Sequence, residues 1–309
     1  MRILPGYVGS SSYCAKTTPG GSFTISTGHS KLNIKMTHSF SLLTFNCFGL
    51  WLPNTRRRLL ALAKQLDRDR YEVVCLQEIQ LHAYQRLLVE NCFSYPYSFH
   101  ERYLHCPKGG LLTLSRLPFT RTSFEPYGHR GLWYTPMLLD RLFFKGMSIS
   151  SLIWNSLPIV IINTHLLANF AGDWERRGMY ARVEEQQLRQ LAEMVQAQPR
   201  DSIVILVGDF NIPRGSALYR DFLLHSGLTD LLAGDHRPTL RMPFKAASSI
   251  SLSIDYILAR IPETYSFRID CDHRFTERYT IGNRMQAYLS DHHGIEVRFR
   301  MDSRALCFL

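Results

Sequence analysis

The run of residues 203–211 constrains the fold most, because it reads Ile-Val-Ile-Leu-Val-Gly-Asp-Phe-Asn and is apolar almost to its end. A run so rich in β-branched residues predicts a strand that is buried on both faces. It ends in Asp209 and Asn211, one residue apart, so the alternation of a strand points both to the same side. Burying these groups unpaired would be costly, so they need a ligand, a metal or each other. An Asx turn before Pro213 is the alternative explanation.

The same pattern recurs in five other apolar runs, each of which carries a group that can bind a metal or move a proton. These groups are Asn46, Glu78, His165, Asp255 and the pair Asp291-His292. One polar group at a strand end is more often a turn former or a satisfied core group than a catalyst. Six such runs in one chain are improbable by chance. Parallel or stacked strands can bring their ends together at one edge of the sheets.

The donor atoms narrow the choice of metal. The candidate oxygen ligands are Asn46, Glu78, Asp209, Asn211 and Asp291, and no cysteine lies among them. Hard oxygen ligands favour magnesium, manganese or calcium over zinc. Magnesium is held by one or two carboxylates together with substrate phosphate, which fits so short a set. With two histidines nearby, the pattern indicates metal-assisted hydrolysis of a phosphoester.

Charge points to an anionic partner. The 309 residues include 36 Lys and Arg against 26 Asp and Glu, for a net charge of +10. This excess favours a phosphate ester, a nucleic acid or an acidic membrane surface without choosing among them. The seven cysteines show no CxxC spacing, and we interpret them as reduced thiols of a cytoplasmic protein.

The chain divides into three parts by amino-acid composition. Residues 1–36 are rich in Gly, Ser and Thr and predict a disordered leader, with Met36 as an alternative start. Residues 37–302 form one ordered domain, and 303–309 a C-terminal tail. The apolar stretch 148–167 is interrupted by Asn155-Ser156 and Pro158, so it predicts a hairpin with its turn at 155–156 and no membrane-spanning segment.

Periodicity predicts an α+β domain. Strands are predicted over residues 41–46, 73–78, 110–115, 147–154, 159–165, 203–209, 253–259 and 294–300. Helices are predicted over 55–68 with Asn54 as its cap, 79–90, 173–196, and 216–225 with a stop at Gly227. Strands and helices alternate early and hairpins follow, which indicates two packed sheets with helices outside.

Six motifs together resemble one known superfamily. In chain order they are Asn46, Gln77-Glu78, Thr164-His165, Gly208-Asp-Phe-Asn211, Ile254-Asp-Tyr256 and Ser290-Asp-His292. Their order is similar to that of the endonuclease/exonuclease/phosphatase superfamily, and the resemblance covers residues 39–300. It implies a DNase-I-like, four-layer α/β sandwich: two central mixed β-sheets flanked by helices, with the site at one edge. It also implies Mg²⁺ as cofactor, with Mn²⁺ as an alternative.

The resemblance implies a metal-binding group and a substrate contact. Glu78 is expected to be the main metal ligand, with Asn46 and Asp291 assisting. Lys145 lies in the segment 140–146, which looks like the Asp-x-Leu-x-x-Lys-Gly approach to a central strand in neutral sphingomyelinases, and is a candidate phosphate contact.

The catalytic roles follow from the same resemblance. Asp209 and Asn211 are expected to orient the attacking water, and His165 to donate to the phosphoryl oxygens. His292 is expected to act as general base or acid, with Asp255 fixing its tautomer. Which of Asp209 and His292 accepts the proton of the water stays open.

The neutral sphingomyelinase branch fits best within the superfamily. Residues 46–51 and the stretch from Thr164 into a Tyr-, Arg- and Gln-bearing helix are similar to segments of that branch. Trp51, Trp133 and Tyr134 could pack against a choline headgroup or enter a lipid surface. Two features depart from the branch: no signal peptide is recognised, and residues 262–288 are polar where secreted members carry an aromatic hairpin.

We therefore expect a monomeric, Mg²⁺-dependent phosphodiesterase that releases a phospholipid headgroup by direct attack of water, with peripheral membrane contact. A nuclease acting on DNA or RNA is the alternative within the same chemistry, favoured by the net charge of +10. A third hypothesis is an inactive lipid-binding or scaffold module, against which the complete set of six motifs argues.

Overall fold

The computed structural model describes residues 22–27, 30–35, 39–104, 106–129, 143–169, 172, 174–175, 178–241 and 252–301. Contacts divide the chain into two compact units, Met1–His38 and Ser39–Leu309. The described elements, in chain order, are β1 Ser22–Thr27, β2 Ser30–Lys35, β3 Ser39–Gly49, α1 Thr55–Asp69, β4 Val73–Ile79, α2 His82–Asn91, β5 Tyr97–Phe99, β6 Leu112–Ser115, β7 Phe119–Pro126, β8 Gly146–Trp154, β9 Leu157–His165, α3 Met179–Gln196, β10 Ile203–Asp209, α4 Ala217–Ser226, β11 Thr229–Asp230, β12 Asp255–Arg260, β13 Phe267–Arg274, β14 Tyr279–Ile281, β15 Met285–Ala287 and β16 Gly294–Met301.

Two mixed sheets of six strands form the centre of the larger unit. The first has the order β13-β16-β3-β4-β6-β5 and the second β11-β12-β10-β9-β8-β7. In each sheet one central pair is parallel, β3 with β4 and β9 with β10, and the other neighbours are antiparallel. The small hairpin β14–β15 forms a separate ladder.

Helices cover the outer face of each sheet. Leu59, Leu62 and Leu66 of α1 pack with Leu43 and Phe45 of β3 in one core, which α2 also joins. The helices α3 and α4 share a second core with β8, β9, β10 and β12. The layers therefore run helix, sheet, sheet, helix, and the predicted four-layer α/β sandwich is confirmed.

A third core lies between the two sheets. Alternate residues of β10 contribute to this core and to the core on the opposite face of the strand. Ile203, Ile205 and Val207 pack into the core between the sheets. Val204 and Leu206 point the other way, into the core under α3 and α4. A strand covered on both faces needs apolar residues at every position, which explains the unbroken run in the sequence.

Helix α1 begins at Thr55 as predicted, but its predicted side-chain cap and the predicted starts of two other helices were wrong. Asn54 has a left-handed backbone (φ 68°) and makes no capping hydrogen bond; its Oδ1 accepts one from Arg57 instead. Helix α2 begins at His82, because Ile79 still pairs with Gly49 at the end of β4. Helix α3 begins at Met179, later than the predicted residue 173.

The leader contains secondary structure. β1 and β2 pair in antiparallel register, with Phe23 opposite Ile34 and Ile25 opposite Leu32. Apolar residues alternate with polar ones in both segments, a strand signal that the Gly- and Ser-rich composition obscured. Two strands therefore lie within the predicted leader, and its expected disorder stays a prediction. Residues 1–21, 28–29 and 36–38 lie outside the described residues, as do 302–309, and the domain limits 37–302 and 303–309 stay a prediction.

The apolar stretch 148–167 forms the hairpin β8–β9, as expected. Trp154 pairs with Leu157, and the turn between them has left-handed backbone at Asn155 (φ 48°) and Ser156 (φ 68°). In the described part of the chain, no helix is long and apolar enough to span a bilayer.

Gly208 is required by a close approach of two strands. Its φ is 141°, and a Cβ at this position would lie 1.9 Å from the carbonyl oxygen of Thr164 in the parallel strand β9. We expect Gly208→Ala to lower the free energy of unfolding by about 3 kcal/mol or more, since backbone must move to relieve the clash. Urea unfolding measures this.

Gly215 provides the control for the Gly208 prediction. It also has a positive φ (88°), but a Cβ there would have nothing within 4 Å. Gly215→Ala should therefore cost only the conformational penalty of about 1 to 2 kcal/mol. Equal losses in the two variants would contradict the role of the close approach.

Candidate active site

Four of the predicted site residues lie on the strand faces that are turned toward the other sheet. Asn46, His165, Asp209 and Asp255 have the same parity along their strands as residues of the core between the sheets, namely Leu42, Ile161, Val207 and Ile257. The strand pairing places Asp209 opposite His165 on one side and Asp255 on the other. Alternation thus aims these polar groups into the seam between the sheets, at one edge of the two sheets.

Asn46 joins the two sheets at this edge. Its buried amide nitrogen donates to Glu78 Oε1 at 3.0 Å and to Asp209 Oδ2 at 2.9 Å, while its Oδ1 accepts from the N–H of Phe48 at 3.0 Å. Two carboxylates are therefore held together by one amide. Because the amide oxygen faces Phe48, this arrangement suits Asn46 to positioning the carboxylates, and its role as a metal ligand stays a prediction.

The carboxylate of Glu78 reaches the seam through an unusual backbone. The preceding Gln77 points between the sheets and donates to Asn163 Oδ1 at 2.8 Å, so regular alternation would turn Glu78 the opposite way. Left-handed backbone at Glu78 (φ 58°), one residue before the end of β4, breaks this alternation and accompanies its contact with Asn46. A Cβ at Gly49 would lie 2.2 Å from the Glu78 carbonyl oxygen, so glycine is required there. Burial raises the pKa of the Glu78 carboxyl, with Asn46 opposing the shift.

Asp209 lies at the centre of the group. Its Oδ2 is 3.5 Å from His165 Nε2, and its Oδ1 accepts from the N–H of Asn211 at 2.9 Å. The amide nitrogen of Asn211 donates to the Leu166 carbonyl at 3.1 Å, which ties this loop to the end of β9. Burial raises the pKa of Asp209 to about 7, and the negative charge of Asp255 adds to the rise. Burial, with the positive charges of Lys145 and His292, lowers the pKa of His165 well below its usual value.

Asp255 and His292 form a buried pair. The Nδ1 of His292 lies 2.9 Å from Asp255 Oδ2, and its Nε2 lies 3.8 Å from Asp209 Oδ2. The hydroxyl oxygen of Thr239 accepts from the N–H of Asp255, which fixes the start of β12. Burial alone lowers the pKa of His292, but Asp255 and Asp209 outweigh it and raise the pKa to about 10.

A cavity of about 330 Å³ opens beside these groups. It is lined by Phe48, Leu50, Glu78, Gln80, Gly109, Gly110, Phe143, Lys145, His165, Ala168, Asp209, Asn211, Leu240, Ile254 and His292. Lys145 is buried in this wall, and its Nζ donates to the Leu166 carbonyl at 2.5 Å. Polar groups therefore converge at the base of a cavity whose remaining wall is mostly apolar, as in a typical ligand site.

Two sets of ligand atoms are close enough to share a cation. The first is Glu78, His165 and Asp209; the second is Asp209, Asp255 and His292, with atoms within 4.8 Å of one another in each set. Asp291 belongs to neither set, and its Oδ1 accepts from the Ser290 hydroxyl at 3.1 Å. The structure thus brings eight of the nine predicted residues together and leaves Asp291 beside them; every individual role stays a prediction.

Comparison with known proteins gives the family. The sequence matches the Endonuclease/Exonuclease/phosphatase family over residues 43–292, which is most of the chain. The chain belongs to this family. The resemblance inferred from the six motifs is therefore confirmed.

Two relatives of this family member have names connected with sphingolipids. A putative neutral sphingomyelinase from Drosophila melanogaster is 23% identical over 233 residues, which cover 71% of this chain and 52% of the relative. The inositol phosphosphingolipids phospholipase C of Saccharomyces cerevisiae is 27% identical over 220 residues, covering 62% and 45%. This chain therefore spans about half the length of the relatives that it matches.

Solved structures share the fold of the endonuclease/exonuclease/phosphatase domain. Sphingomyelinase C from Streptomyces griseocarneus has a TM-score of 0.64 at 20% identity, covering 85% of this chain and 100% of that one. D. rerio TDP2 in complex with a single-strand DNA product has a TM-score of 0.65 at 20% identity, covering 86% and 100%. A beta toxin variant from Staphylococcus aureus with bound magnesium ions has a TM-score of 0.63 at 15% identity, covering 84% and 99%.

Arg241 supports the site and was missed in the sequence. Its Nη1 donates to the carbonyls of Ser290 (2.9 Å) and His292 (2.6 Å), and its Nη2 to that of Phe275 (2.6 Å). The guanidinium also lies 4.2 Å from the centre of the Tyr288 ring. Arg241 therefore holds the loop that carries His292. A lone arginine in a segment without periodicity gives no signal of this contact.

Arg58 performs a similar task on the other side of the site. It donates to the carbonyls of Cys47 (3.1 Å), Phe48 (2.7 Å) and Leu289 (2.6 Å). The loop after Asn46 is thereby connected to the loop before His292. In the sequence, Arg58 is the last of three consecutive arginines at the start of a predicted helix, and nothing there separates it from its exposed neighbours.

We expect Arg241→Met to lower kcat about tenfold with little change in KM, because a displaced His292 loop misplaces a catalytic group. The variant should also lose about 2 kcal/mol of stability with its charged hydrogen bonds. Steady-state kinetics on a small phosphodiester and urea unfolding measure the two effects.

Arg260 is the matched control for Arg241. It too donates to three backbone carbonyls (Val195, Gln198 and Pro199), but at the end of β12 away from the cavity. Arg260→Met should lower stability and leave kcat near the wild-type value. A parallel fall of kcat in both variants would mean that Arg241 has only a general structural role.

Proposed function

We propose that this family member is a Mg²⁺-dependent phosphodiesterase that hydrolyses a phospholipid headgroup, as sphingomyelinases do. The observation that carries the proposal is the seam between the sheets. There Asn46 holds Glu78 and Asp209 together, and Asp209 also lies 3.5 Å from His165 and 3.8 Å from His292. Carboxylates that can hold a cation, imidazoles that can move a proton and an apolar cavity wall together suit hydrolysis of a phosphodiester with a lipid leaving group.

The residues fit a divalent cation of the magnesium type. Glu78 and Asp209 are held side by side against their mutual repulsion, and their ligand atoms lie with that of His165 inside one 4.8 Å set. Burial raises the pKa of both carboxyls, a cost that a bound cation would offset. Oxygen donors in this number suit Mg²⁺, with Mn²⁺ as the alternative. When bound, the cation would neutralise charge on the phosphoryl oxygens and, by repulsion, lower the pKa of His292.

The chain's own residues supply orientation and proton transfer. Asp209 and Asn211 orient a water whose oxygen bonds to phosphorus while the bond from phosphorus to the lipid oxygen breaks. One proton of the water passes to the pair Asp209 and His292, and Asp255 holds the imidazole so that its Nε2 faces the cavity. The lipid oxygen takes a proton and leaves as an alcohol.

Two hydrogen-bond donors, one neutral and one cationic, stabilise the charge that develops on the phosphoryl group. His165 is neutral because burial and nearby positive charge lower its pKa, so it donates one hydrogen bond without repelling a cation. Lys145 lies in the same cavity wall, where its ammonium group can approach a phosphate oxygen.

The choice of a lipid rests on the relatives. The names of the matched Drosophila and yeast proteins refer to sphingomyelin and phosphosphingolipids, whereas this chain spans only about half of each. The apolar residues of the cavity wall, including Phe48, Leu50 and Phe143, support a substrate with an apolar part. A monomeric state and a cytoplasmic location with peripheral membrane contact belong to the same proposal.

Nuclease activity is the second candidate. The net charge of +10 favours a polyanion, and the fold matches that of TDP2 crystallised with a single-strand DNA product. Binding of nucleic acid through phosphate contacts should weaken steeply with salt, whereas release of a headgroup from a zwitterionic bilayer should not.

A substrate panel tests the proposal. The purified protein is offered sphingomyelin, a phosphoinositide, plasmid DNA and a generic aryl phosphodiester, each with Mg²⁺ or with EDTA. We expect release of a phospholipid headgroup that EDTA abolishes. Nicked plasmid with intact lipids would instead establish the nuclease, and no turnover of any substrate would support an inactive module.

A further inference from the structure

One exposed turn adjoins the mouth of the cavity. The N–H of Leu52 donates to the Leu50 carbonyl at 2.8 Å, so residues 50–52 form a tight three-residue turn with Trp51 at its apex. Trp51 is 87% exposed and Leu52 43% exposed, while Leu50 lines the cavity. The turn thus places a large apolar side chain in solvent, one residue away from the cavity wall.

The base of this turn is held firmly. Gly49 pairs with Ile79 at the end of the parallel strands, and the N–H of Thr55 donates to the Leu52 carbonyl as α1 begins. Arg58 bonds the Phe48 carbonyl from the first turns of α1. The apolar tip therefore projects from a rigid base, which lowers the entropy lost when it docks.

Positive charge follows the apolar tip directly. Arg56 and Arg57 are exposed in the first turn of α1, and that turn contains no acidic residue. The N-terminal end of a helix adds further positive potential. An apolar tip bordered by arginines is the combination with which peripheral proteins enter the headgroup region of an anionic bilayer.

Other apolar side chains are nearly as exposed as Trp51, and exposure alone does not indicate a contact surface. Phe93, for example, is 83% exposed, but its N–H bonds Asp67 in the last turn of α1. The helix has 15 residues and a length of about 22 Å, so Phe93 lies at the far end of α1 from Trp51. Position at the cavity and the adjoining arginines distinguish Trp51.

We infer that residues 50–52, with Arg56 and Arg57, dock on a phospholipid bilayer and bring the cavity to its surface. This inference rests on the proposed lipid substrate. Trp51 and Leu52 enter the interfacial region, and the two arginines approach anionic headgroups. The turn is thus a membrane contact, and chemistry in the cavity does not depend on it.

Sedimentation with vesicles tests the inference. Vesicles of phosphatidylcholine, with or without phosphatidylserine, are mixed with the full chain in EDTA so that binding is measured without hydrolysis. We expect Trp51→Ala to weaken binding about tenfold on both kinds of vesicle through lost apolar burial, and Trp51→Phe to retain most of it. Replacing Arg56 and Arg57 by Gln should weaken binding about fivefold per residue on the anionic vesicles alone.

Phe93→Ala is the matched control, and it should bind vesicles as the wild type does. Hydrolysis adds a second readout: Trp51→Ala should slow release of headgroup from vesicles, but not turnover of a water-soluble aryl phosphodiester. Equal binding by wild type and Trp51→Ala would overturn the inference. The inference would also be overturned if Trp51→Ala weakened binding of single-stranded DNA and not of vesicles, because aromatic residues stack on unpaired bases.

The proposed function can fail separately from this inference. If the wild type hydrolyses detergent-dispersed sphingomyelin but does not bind vesicles through Trp51, the docking inference is overturned and the function stands. If no dispersed phospholipid is hydrolysed, the function fails. Vesicle sedimentation of the wild type and Trp51→Ala would then still show whether Trp51 contacts the bilayer.

Discussion

Glu78→Gln is expected to lower kcat at least about a hundredfold, because it removes the charge of the carboxylate proposed as the main metal ligand. The change keeps the size of the side chain and its reach to the Asn46 amide, from which Glu78 Oε1 accepts at 3.0 Å. Loss of metal binding should appear independently of turnover. Thermal unfolding with increasing Mg²⁺ should show stabilisation of the wild type and little or none of the variant.

Glu193→Gln is the control for this result. Glu193 is exposed on α3, so its replacement removes the same charge outside the cavity. We expect unchanged kcat and unchanged stabilisation by Mg²⁺. A Glu78→Gln protein that Mg²⁺ still stabilises as it does the wild type would contradict the proposed ligand role, even if activity were lost.

His292→Ala is expected to lower kcat by about a hundredfold or more, as loss of a general acid or base does. The imidazole lines the cavity and is oriented by a buried carboxylate, through the 2.9 Å contact between its Nδ1 and Asp255 Oδ2. Asp255→Asn should also lower kcat, because an amide can favour the wrong tautomer of the imidazole. Steady-state kinetics across pH on a soluble phosphodiester would measure both variants.

The neighbouring histidine offers a close control. His293 lies one residue further along the chain, does not line the cavity and has its Nδ1 3.5 Å from His273 Nδ1. His293→Ala should keep kcat within a few-fold of the wild type. Comparable losses in His292→Ala and His293→Ala would mean that disturbance of the loop, and not proton transfer, explains the effect.

Strand ends could be predicted from the sequence because burial and alternation act locally. The run to Asp209 needed apolar residues on both faces, and the same parity that sorts Ile203 and Val204 between two cores aims Asp209 at the seam. Asn46 and His165 follow the same rule. Apolar patterning therefore predicted both the layers and the edge at which the polar groups meet.

Contacts between distant segments could not be predicted in this way. The role of Arg241 depends on carbonyls some 34 to 51 residues away, and backbone carbonyls carry no sequence signature. The left-handed backbone of Glu78 could not be predicted either, because regular alternation would place Gln77 and Glu78 on opposite faces of the sheet. A local signal also gave a wrong prediction. Asparagine is a residue type preferred at helix N-caps, yet Asn54 has a left-handed backbone and its side chain accepts a hydrogen bond from Arg57.

Hydrolysis in ¹⁸O-water tests the central claim most directly. Sphingomyelin is incubated with the full chain and Mg²⁺, and both products are analysed by mass spectrometry, with EDTA as the blank. Attack of water at phosphorus predicts one heavy oxygen in the released phosphocholine, none in the ceramide, and no products in EDTA. Label in the ceramide, turnover that persists in EDTA, or intact sphingomyelin beside cleaved DNA would contradict the account.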